Sequence, residues 1–247
     1  MWRTLYATPA VLANTVAIGA FTLATTPFTQ RFHDLALKTW AHRVLSAVGV
    51  ELQVEGAERL DPGQRYIFMA NHQSHLDVPC LVSAVPNPVR FVAKRSLARI
   101  PLFGAAMKAI GNIDIDRGDR QDTLRRMHEA PRGIAQQVSV AFVAEGTRSA
   151  DGELRPFKRG GVRMALALGV PIVPVAIWGT IEILPKGARR FHKPGPVRVA
   201  IAEPIVTGPD TPAERERLLA QVQSEVGSMY QRLRAARAGE DQEVAGG

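Results

Sequence analysis

Two polar clusters in this 247-residue chain carry residue types that could move a proton and hold an anion. The first, Asn71-His72-Gln73-Ser74-His75-Leu76-Asp77, follows an apolar run that ends at Met69-Ala70. An imidazole with a carboxylate partner can act as a general base. The carboxylate accepts a hydrogen bond from one ring nitrogen and fixes the tautomer, which leaves the other nitrogen to take a proton. His72 and Asp77 are five residues apart, and on a regular helix that places them roughly 140° out of register. Pairing therefore requires His72 in a loop and Asp77 in the first turn of the helix that follows. His75 competes as the base, and the three side chains together also resemble metal ligands. No second ligand cluster supports that metal reading: Cys80 is isolated and neither H-E-x-x-H nor C-x-x-C occurs, so no metal is expected.

The second cluster, Glu145-Gly146-Thr147-Arg148-Ser149, also ends an apolar run. Gly146 permits close backbone approach, and Arg148 offers a planar fork to a phosphate or carboxylate. Lys158, Arg159, Gly160 and Gly161 come next, ahead of a helical pattern whose amide-rich start favours an anion. A third stretch, Gly111-Asn112-Ile113-Asp114-Ile115-Asp116-Arg117, brings Arg117 to the end of a short strand. Each has an ordinary alternative in isolation, such as a turn, a loop ion pair, or Arg117 paired with Asp116 or Asp119.

An α/β domain has to position these clusters. The chain is 46% hydrophobic and 22% charged, a composition that excludes wholesale disorder. Apolar runs at 65–70, 89–93, 138–143, 170–178 and 197–201 alternate with helical patterns at 96–110, 119–137 and 161–168. Near-continuous apolar strands between helices indicate a central, mostly parallel or mixed sheet covered by helices, with ligands at the carboxyl ends of the strands. Pro171 and Pro174 should make their run an edge, a bulge or a break. Thr211-Pro212-Ala213-Glu214 opens a last helix whose stripe of Leu218, Val222, Val226, Met229 and Leu233 docks on the domain. The domain is expected to span residues 50–237, with 238–247 a disordered tail.

Residues 1–49 read as a separate N-terminal helical segment. Positions 4–30 form a stretch of 27 residues without a charged side chain, longer than the about 20 needed to cross a bilayer. Pro9, Pro27 and several threonines also suit a helix lying in the interface, and a cleaved signal peptide is a third reading. Residues 32–48 form an amphipathic helix, with Arg31, Lys38 and Arg43 nearby, fit to pack on the domain or to lie on anionic lipid. The segment is expected to hold the domain at a membrane lipid surface, on the cytoplasmic face of the cell membrane. The 31 Lys and Arg against 23 Asp and Glu give a net charge of +8, which calls for a negatively charged partner. Aromatics are only 6% and the basic residues are dispersed, so nucleic acid is not expected.

Taken in order, Asn71-His72-x-x-x-x-Asp77, Arg117, Glu145-Gly146-Thr147-Arg148 and Val170-Pro171-Ile172-Val173-Pro174 resemble the four motifs of the glycerolipid acyltransferases typified by the 1-acyl-glycerol-3-phosphate acyltransferases. The likeness runs by motif over residues 65–180. It implies that His72 and Asp77 are catalytic. It also implies that Arg117, Glu145, Gly146, Thr147 and Arg148 bind the acceptor phosphate, with Lys94 and Lys158 as further substrate contacts. Two departures stand out: Ala144 replaces the family's Pro before the Glu of the third motif, and Lys94-Arg95-Ser96-Leu97 lacks the acidic residue of a Lys-x-Glu-Leu pattern.

The resemblance further implies transfer of a fatty acyl group from acyl-CoA or acyl carrier protein to the free hydroxyl of 1-acyl-glycerol-3-phosphate, giving phosphatidate. No cofactor beyond that co-substrate is implied. The nucleophile signature G-x-S-x-G is missing, and Ser74 reads as a helix cap. Another lysolipid acceptor, or a non-catalytic anion-binding protein at the membrane surface, remain the alternatives at this level.

Overall fold

Ile67–Ala70 forms strand β2, whose four buried side chains alternate between two apolar cores: Phe68 and Ala70 enter one, Ile67 and Met69 the other. A strand buried on both faces needs cover on both sides. The computed structural model describes residues 2–26, 28, 30–116, 121, 138–188 and 190–246. The other strands are β1 (Val50–Glu55), β3 (Val89–Lys94), β4 (Ile113–Ile115), β5 (Ser139–Val143), β6 (Ile172–Trp178) and β7 (Gly195–Ile201). They form one seven-stranded sheet in the order β1-β7-β6-β2-β5-β3-β4. Every neighbouring pair is parallel except β6 with β7, so the sheet is mixed.

Helices α1 (Trp2–Thr25), α2 (Gln30–Val48) and α3 (Asp77–Ala84) cover the first core. Helices α5 (Gly160–Leu168) and α7 (Pro212–Gly246) cover the second, while α4 (Phe103–Ala109) packs beside α1 and α6 (Thr180–Ile183) is a single turn after β6. The expected stripe on α7 is buried in full: Leu218, Val222, Val226, Met229 and Leu233 all lie in the second core, each worth about 1.5–3 kcal/mol.

The run over 170–178 meets its expectation as an interior strand, in which the bulge, one of the three outcomes open to its prolines, accommodates Pro174. Register slips by one residue between the Ile172–Ile205 bridge and the Val175–Ile201 pair, and Pro174 offers only its carbonyl, which accepts the Ala202 N–H at 3.0 Å. Four features differ from the sequence expectations. No apolar run announces β1, an edge strand in which Glu51, Gln53 and Glu55 alternate with apolar residues. The pattern over 96–110 breaks at Pro101 and Leu102, the latter at φ 60°, leaving a 3-10 turn at Leu97–Arg99 ahead of α4. The expected tail from 238 onward is helical as far as Gly246, because Ala, Glu and Gln there sustain the helix. The helix expected over 119–137 lies outside the described residues.

The fourth difference concerns the N-terminal boundary. Helix α2 belongs to the domain: Ala41, Val44, Leu45 and Val48 are buried in the first core, and Lys38 Nζ donates to the Pro86 carbonyl at 3.0 Å. Its Asp34 pairs at 2.7 Å with Arg90 of β3, a fully buried guanidinium that also donates to the Val89 and Ile110 carbonyls. An unpaired cation there would be strongly destabilising. Helix α1 packs on α2, where Trp40 Nε1 donates to Thr15 Oγ1 and Asn14 Nδ2 to the Trp40 carbonyl, both at 3.1 Å. Phe21 meets Phe32 edge-on.

On the outside α1 and α2 present Leu12, Val16 and Leu35 to solvent. Tyr6–Thr25 is long and apolar enough to cross a membrane, with a mean hydropathy of 1.5 and only 17% of that stretch buried. Thr15, Thr22, Thr25 and Thr26 donate to carbonyls one turn back at 2.8 Å, so these hydroxyls do not require water.

Candidate active site

Strand β2 stops at Ala70, where the Asn71 side chain takes over the ladder: its Nδ2 donates to the Ile177 carbonyl at 2.9 Å and its Oδ1 accepts the Ile177 N–H at 2.8 Å. The backbone is thereby free to turn out of the sheet. His72 sits in the resulting loop and Asp77 is the first residue of α3, the arrangement that their spacing requires. His72 Nδ1 lies 2.8 Å from Asp77 Oδ2. That oxygen also accepts the N–H groups of Gln73 at 2.7 Å and Ser74 at 2.9 Å, and Asp77 Oδ1 accepts the Thr180 hydroxyl at 2.5 Å. Asp77 is 1% exposed and His72 retains 12% of its side-chain surface. With Nδ1 engaged, Nε2 is the nitrogen left for proton transfer.

Glu145 does not reach the cavity as the acceptor ligand the resemblance implies. It is 2% exposed, and its two oxygens accept the backbone N–H of His72 at 2.7 Å and of Arg155 at 3.2 Å. Burial raises its pKa, opposed by those two amide bonds. A buried carboxylate committed to amides is a brace for the histidine loop, and its charge would repel a phosphate. Ser74 is likewise no helix N-cap: its hydroxyl donates to the Leu184 carbonyl and accepts the Leu76 N–H. Gln73, buried, donates from Nε2 to Tyr230 Oη at 2.5 Å and to the Gly152 carbonyl at 3.0 Å, and the Tyr230 hydroxyl bonds the same carbonyl. The His72–Asp77 loop is thus tied to β6, α6, α7 and the loop after β5.

A cavity of about 940 Å³ opens beside His72. Ile18, Leu37, Trp40, Phe103 and Met107 give it an apolar wall from α1, α2 and α4, while His75, Lys94, Gly146, Thr147 and Arg148 give it a polar one. Of the expected phosphate-binding residues, Gly146, Thr147, Arg148 and Lys94 therefore converge with His72 on one space. The turn carrying Arg148 depends on Gly146, whose φ is +76°. Lys158 does not line the cavity; its stem packs behind Gly146. Arg117 lies outside the described residues.

His75, on the cavity wall, has its pKa lowered by burial and then by Arg148 and His72, against the opposing pull of Asp77. Burial drives the Cys80 thiol well above its ordinary range, so it offers no thiolate. Among the described residues no group of three His, Cys, Asp or Glu side chains is arranged to hold a metal ion. Sequence reasoning missed Thr180, Tyr230 and Lys186, the last also on the cavity wall. The signal for Thr180 was available: Gly179-Thr180 follows a buried strand, as Asn71-His72 does. Tyr230 hides within an apolar helix stripe.

A buried His-Asp pair at the carboxyl end of a mixed sheet, beside cations and an apolar cavity, defines an acyl-transfer type of site, and the comparisons agree. Residues 51–178 match the acyltransferase family, to which the chain belongs. It is 33% identical over 186 residues to the chloroplastic 1-acyl-sn-glycerol-3-phosphate acyltransferase BAT2 of Brassica napus, covering 75% of this chain and 54% of that one. It is 32% identical over 186 residues to the mouse (Mus musculus) 1-acyl-sn-glycerol-3-phosphate acyltransferase alpha, covering 75% of this chain and 65% of that one. The chain thus spans about half the length of the plant relative. The crystal structure of the 1-acyl-sn-glycerophosphate (LPA) acyltransferase PlsC from Thermotoga maritima superposes with a TM-score of 0.80 at 28% identity, over 95% of both chains.

Proposed function

We propose that the protein transfers a fatty acyl group from a thioester of coenzyme A or acyl carrier protein to the free hydroxyl of 1-acyl-glycerol-3-phosphate, giving phosphatidate. The observation that carries this reading is the His72–Asp77 pair opening onto a cavity that combines Lys94 and Arg148 with an apolar wall. His72 Nε2 takes the proton from the acceptor hydroxyl as its oxygen attacks the thioester carbonyl. Asp77 stabilises the imidazolium. The C–S bond breaks, and the proton passes from His72 to the departing thiolate, giving the ester and a free thiol. No acyl-enzyme and no resident cofactor are needed.

Arg148, whose guanidinium makes no hydrogen bond or ion pair with any described residue, and Lys94 hold the acceptor phosphate, with Thr147 and the Gly146 backbone shaping the turn. Arg117 joins them by its motif. The apolar wall receives an acyl chain. Both substrates are amphiphiles, and the exposed apolar faces of α1 and α2 support action at a membrane lipid surface; the proposal puts the domain on its cytoplasmic face. The +8 charge suits anionic headgroups.

The test is incubation of the protein in lipid vesicles with acyl-CoA and a panel of lysolipids while free thiol is followed. Thiol release should depend on lysophosphatidate and disappear in His72→Ala. Release independent of any acceptor would make the protein a thioesterase instead, and no release with any lysolipid would sink the proposal.

A further inference from the structure

The cavity holds a third cation that none of the motifs contains. After α6 the chain makes a four-residue turn over 185–188, closed by the Ala188 N–H on the Pro185 carbonyl at 3.1 Å, with Gly187 at φ +86°. This is a type II geometry that requires Gly at the third position and puts Lys186 at the second. The segment leading into the turn is anchored on the His72–Asp77 loop at two points. Thr180 donates to Asp77, and the Leu184 carbonyl accepts Ser74 Oγ at 2.8 Å. Lys186 is therefore held in place relative to His72, although it lies more than 100 residues further along the chain.

Its ammonium donates to the Arg148 carbonyl at 2.8 Å and approaches Thr147 Oγ1 at 3.4 Å. An ammonium has three donors, so one remains. Among the described residues that line the cavity, Lys94, Arg148 and Lys186 are cationic and none is Asp or Glu. Three cations facing one space without a lining carboxylate repel one another, and an anionic ligand must supply the balance.

We propose that Lys186 is a direct ligand of the acceptor phosphate and sets the preference for a phosphate monoester over phosphodiester headgroups. This rests on the acyl-transfer reading above. Lys186 is exposed to solvent, where a unit charge pair in contact contributes about 5-fold in binding. A monoester carries nearly two charges at neutral pH and a diester one. Loss of the ammonium should therefore cost the monoester about 25-fold and the diester about 5-fold, because the attraction scales with ligand charge.

The experiment compares wild type, Lys186→Gln and Lys186→Arg in vesicles. It uses lysophosphatidate and lysophosphatidylglycerol as acceptors, measured as KM or, for a lysolipid that is not turned over, as its inhibition constant. Lys186→Gln should shrink the monoester-to-diester preference about 5-fold with kcat little changed, and Lys186→Arg should restore most of it. An equal loss for both lysolipids, or a loss in kcat alone, would mean that Lys186 only braces the Arg148 turn, and the proposal fails. A shift confined to the acyl-CoA KM would assign the ammonium to the donor's phosphates and also overturns it. Wild-type protein that acylates neither lysolipid refutes the underlying reading instead.

Discussion

Replacing Asp77 by Asn removes one buried charge while leaving the catalytic loop a way to keep its hydrogen bonds. The amide oxygen can occupy the position of Oδ2, which accepts from His72, Gln73 and Ser74, and the new NH2 then faces Thr180, whose hydroxyl can rotate to accept. The tautomer of His72 is kept, so the missing element is the negative charge opposite the forming imidazolium. A full ion pair in contact at an effective dielectric of 20 is worth about 4 kcal/mol. With the proton about half transferred, roughly 2 kcal/mol is lost, and the weakened hydrogen bond adds about 1 kcal/mol. At about 1.4 kcal/mol per decade, kcat should fall roughly 100-fold with both KM values little changed. Asp77→Ala differs in kind, since it orphans the Gln73 and Ser74 amides and the Thr180 hydroxyl at about 1–3 kcal/mol each and should lower the melting temperature. The assay is thiol release at saturating substrates, with thermal melts of all three proteins. An Asp77→Asn protein that melts like wild type and turns over within about threefold of it would refute the electrostatic role.

His75→Ala should keep substantial activity, in contrast to His72→Ala. Because His75 has a lowered pKa in the folded state, its contribution is complete above pH 6.5 and is lost as pH falls through the folded value, so the variant should lose less stability than wild type in melts taken on the acid side of pH 6.5. Tyr230→Phe removes the hydroxyl between Gln73 and Gly152 and should lower kcat several-fold without changing the acceptor KM; an unchanged kcat would show that α7 does not position the loop. At Gly161 a new Cβ would lie 2.7 Å from Met69 Sδ, so Gly161→Ala should destabilise by about 1–3 kcal/mol and be partly rescued by Met69→Ala. Deleting residues 1–29 should leave a folded domain with α2 in place, but it opens the cavity wall formed by Thr15, Ile18 and Thr22. Activity on long-chain substrates and flotation with vesicles should both fall, and a truncated protein that keeps both would place lipid contact elsewhere.

The site was legible where its chemistry is local. His72 and Asp77 are close in sequence, follow a buried strand, and can pair in only one way, so spacing alone set their geometry. Gly146 and Arg148 were readable for the same reason. The role of Glu145 was not, because nothing in Glu-Gly-Thr-Arg says that the carboxylate turns inward to the His72 amide. Thr180 and Tyr230 reach the loop, and Lys186 the cavity beside it, from over 100 residues away from His72, and only the strand order, with β6 beside β2, brings them there. In the fold, continuous apolar strands declared themselves. The edge strand β1 lacks that signal, and Pro174 could be placed only once the bulge opposite it was seen. The apolar and basic character of residues 1–49 was visible, but the partnership of Asp34 with Arg90 that makes α2 part of the domain was not.

The hydrogen bonds around Asp77 also set an order in time. Helices α1 and α2 precede His72 and Asp77 along the chain. The groups that hold them come from Glu145, Ile177, Thr180, Leu184 and Tyr230. At about 5–20 residues per second on the ribosome, the last of these emerges roughly 10–40 s after α1. A nascent chain therefore has its apolar helix available to lipid well before it has a finished base. A chain broken off before Thr180 would carry both His72 and Asp77 and still lack the scaffold that makes them a pair.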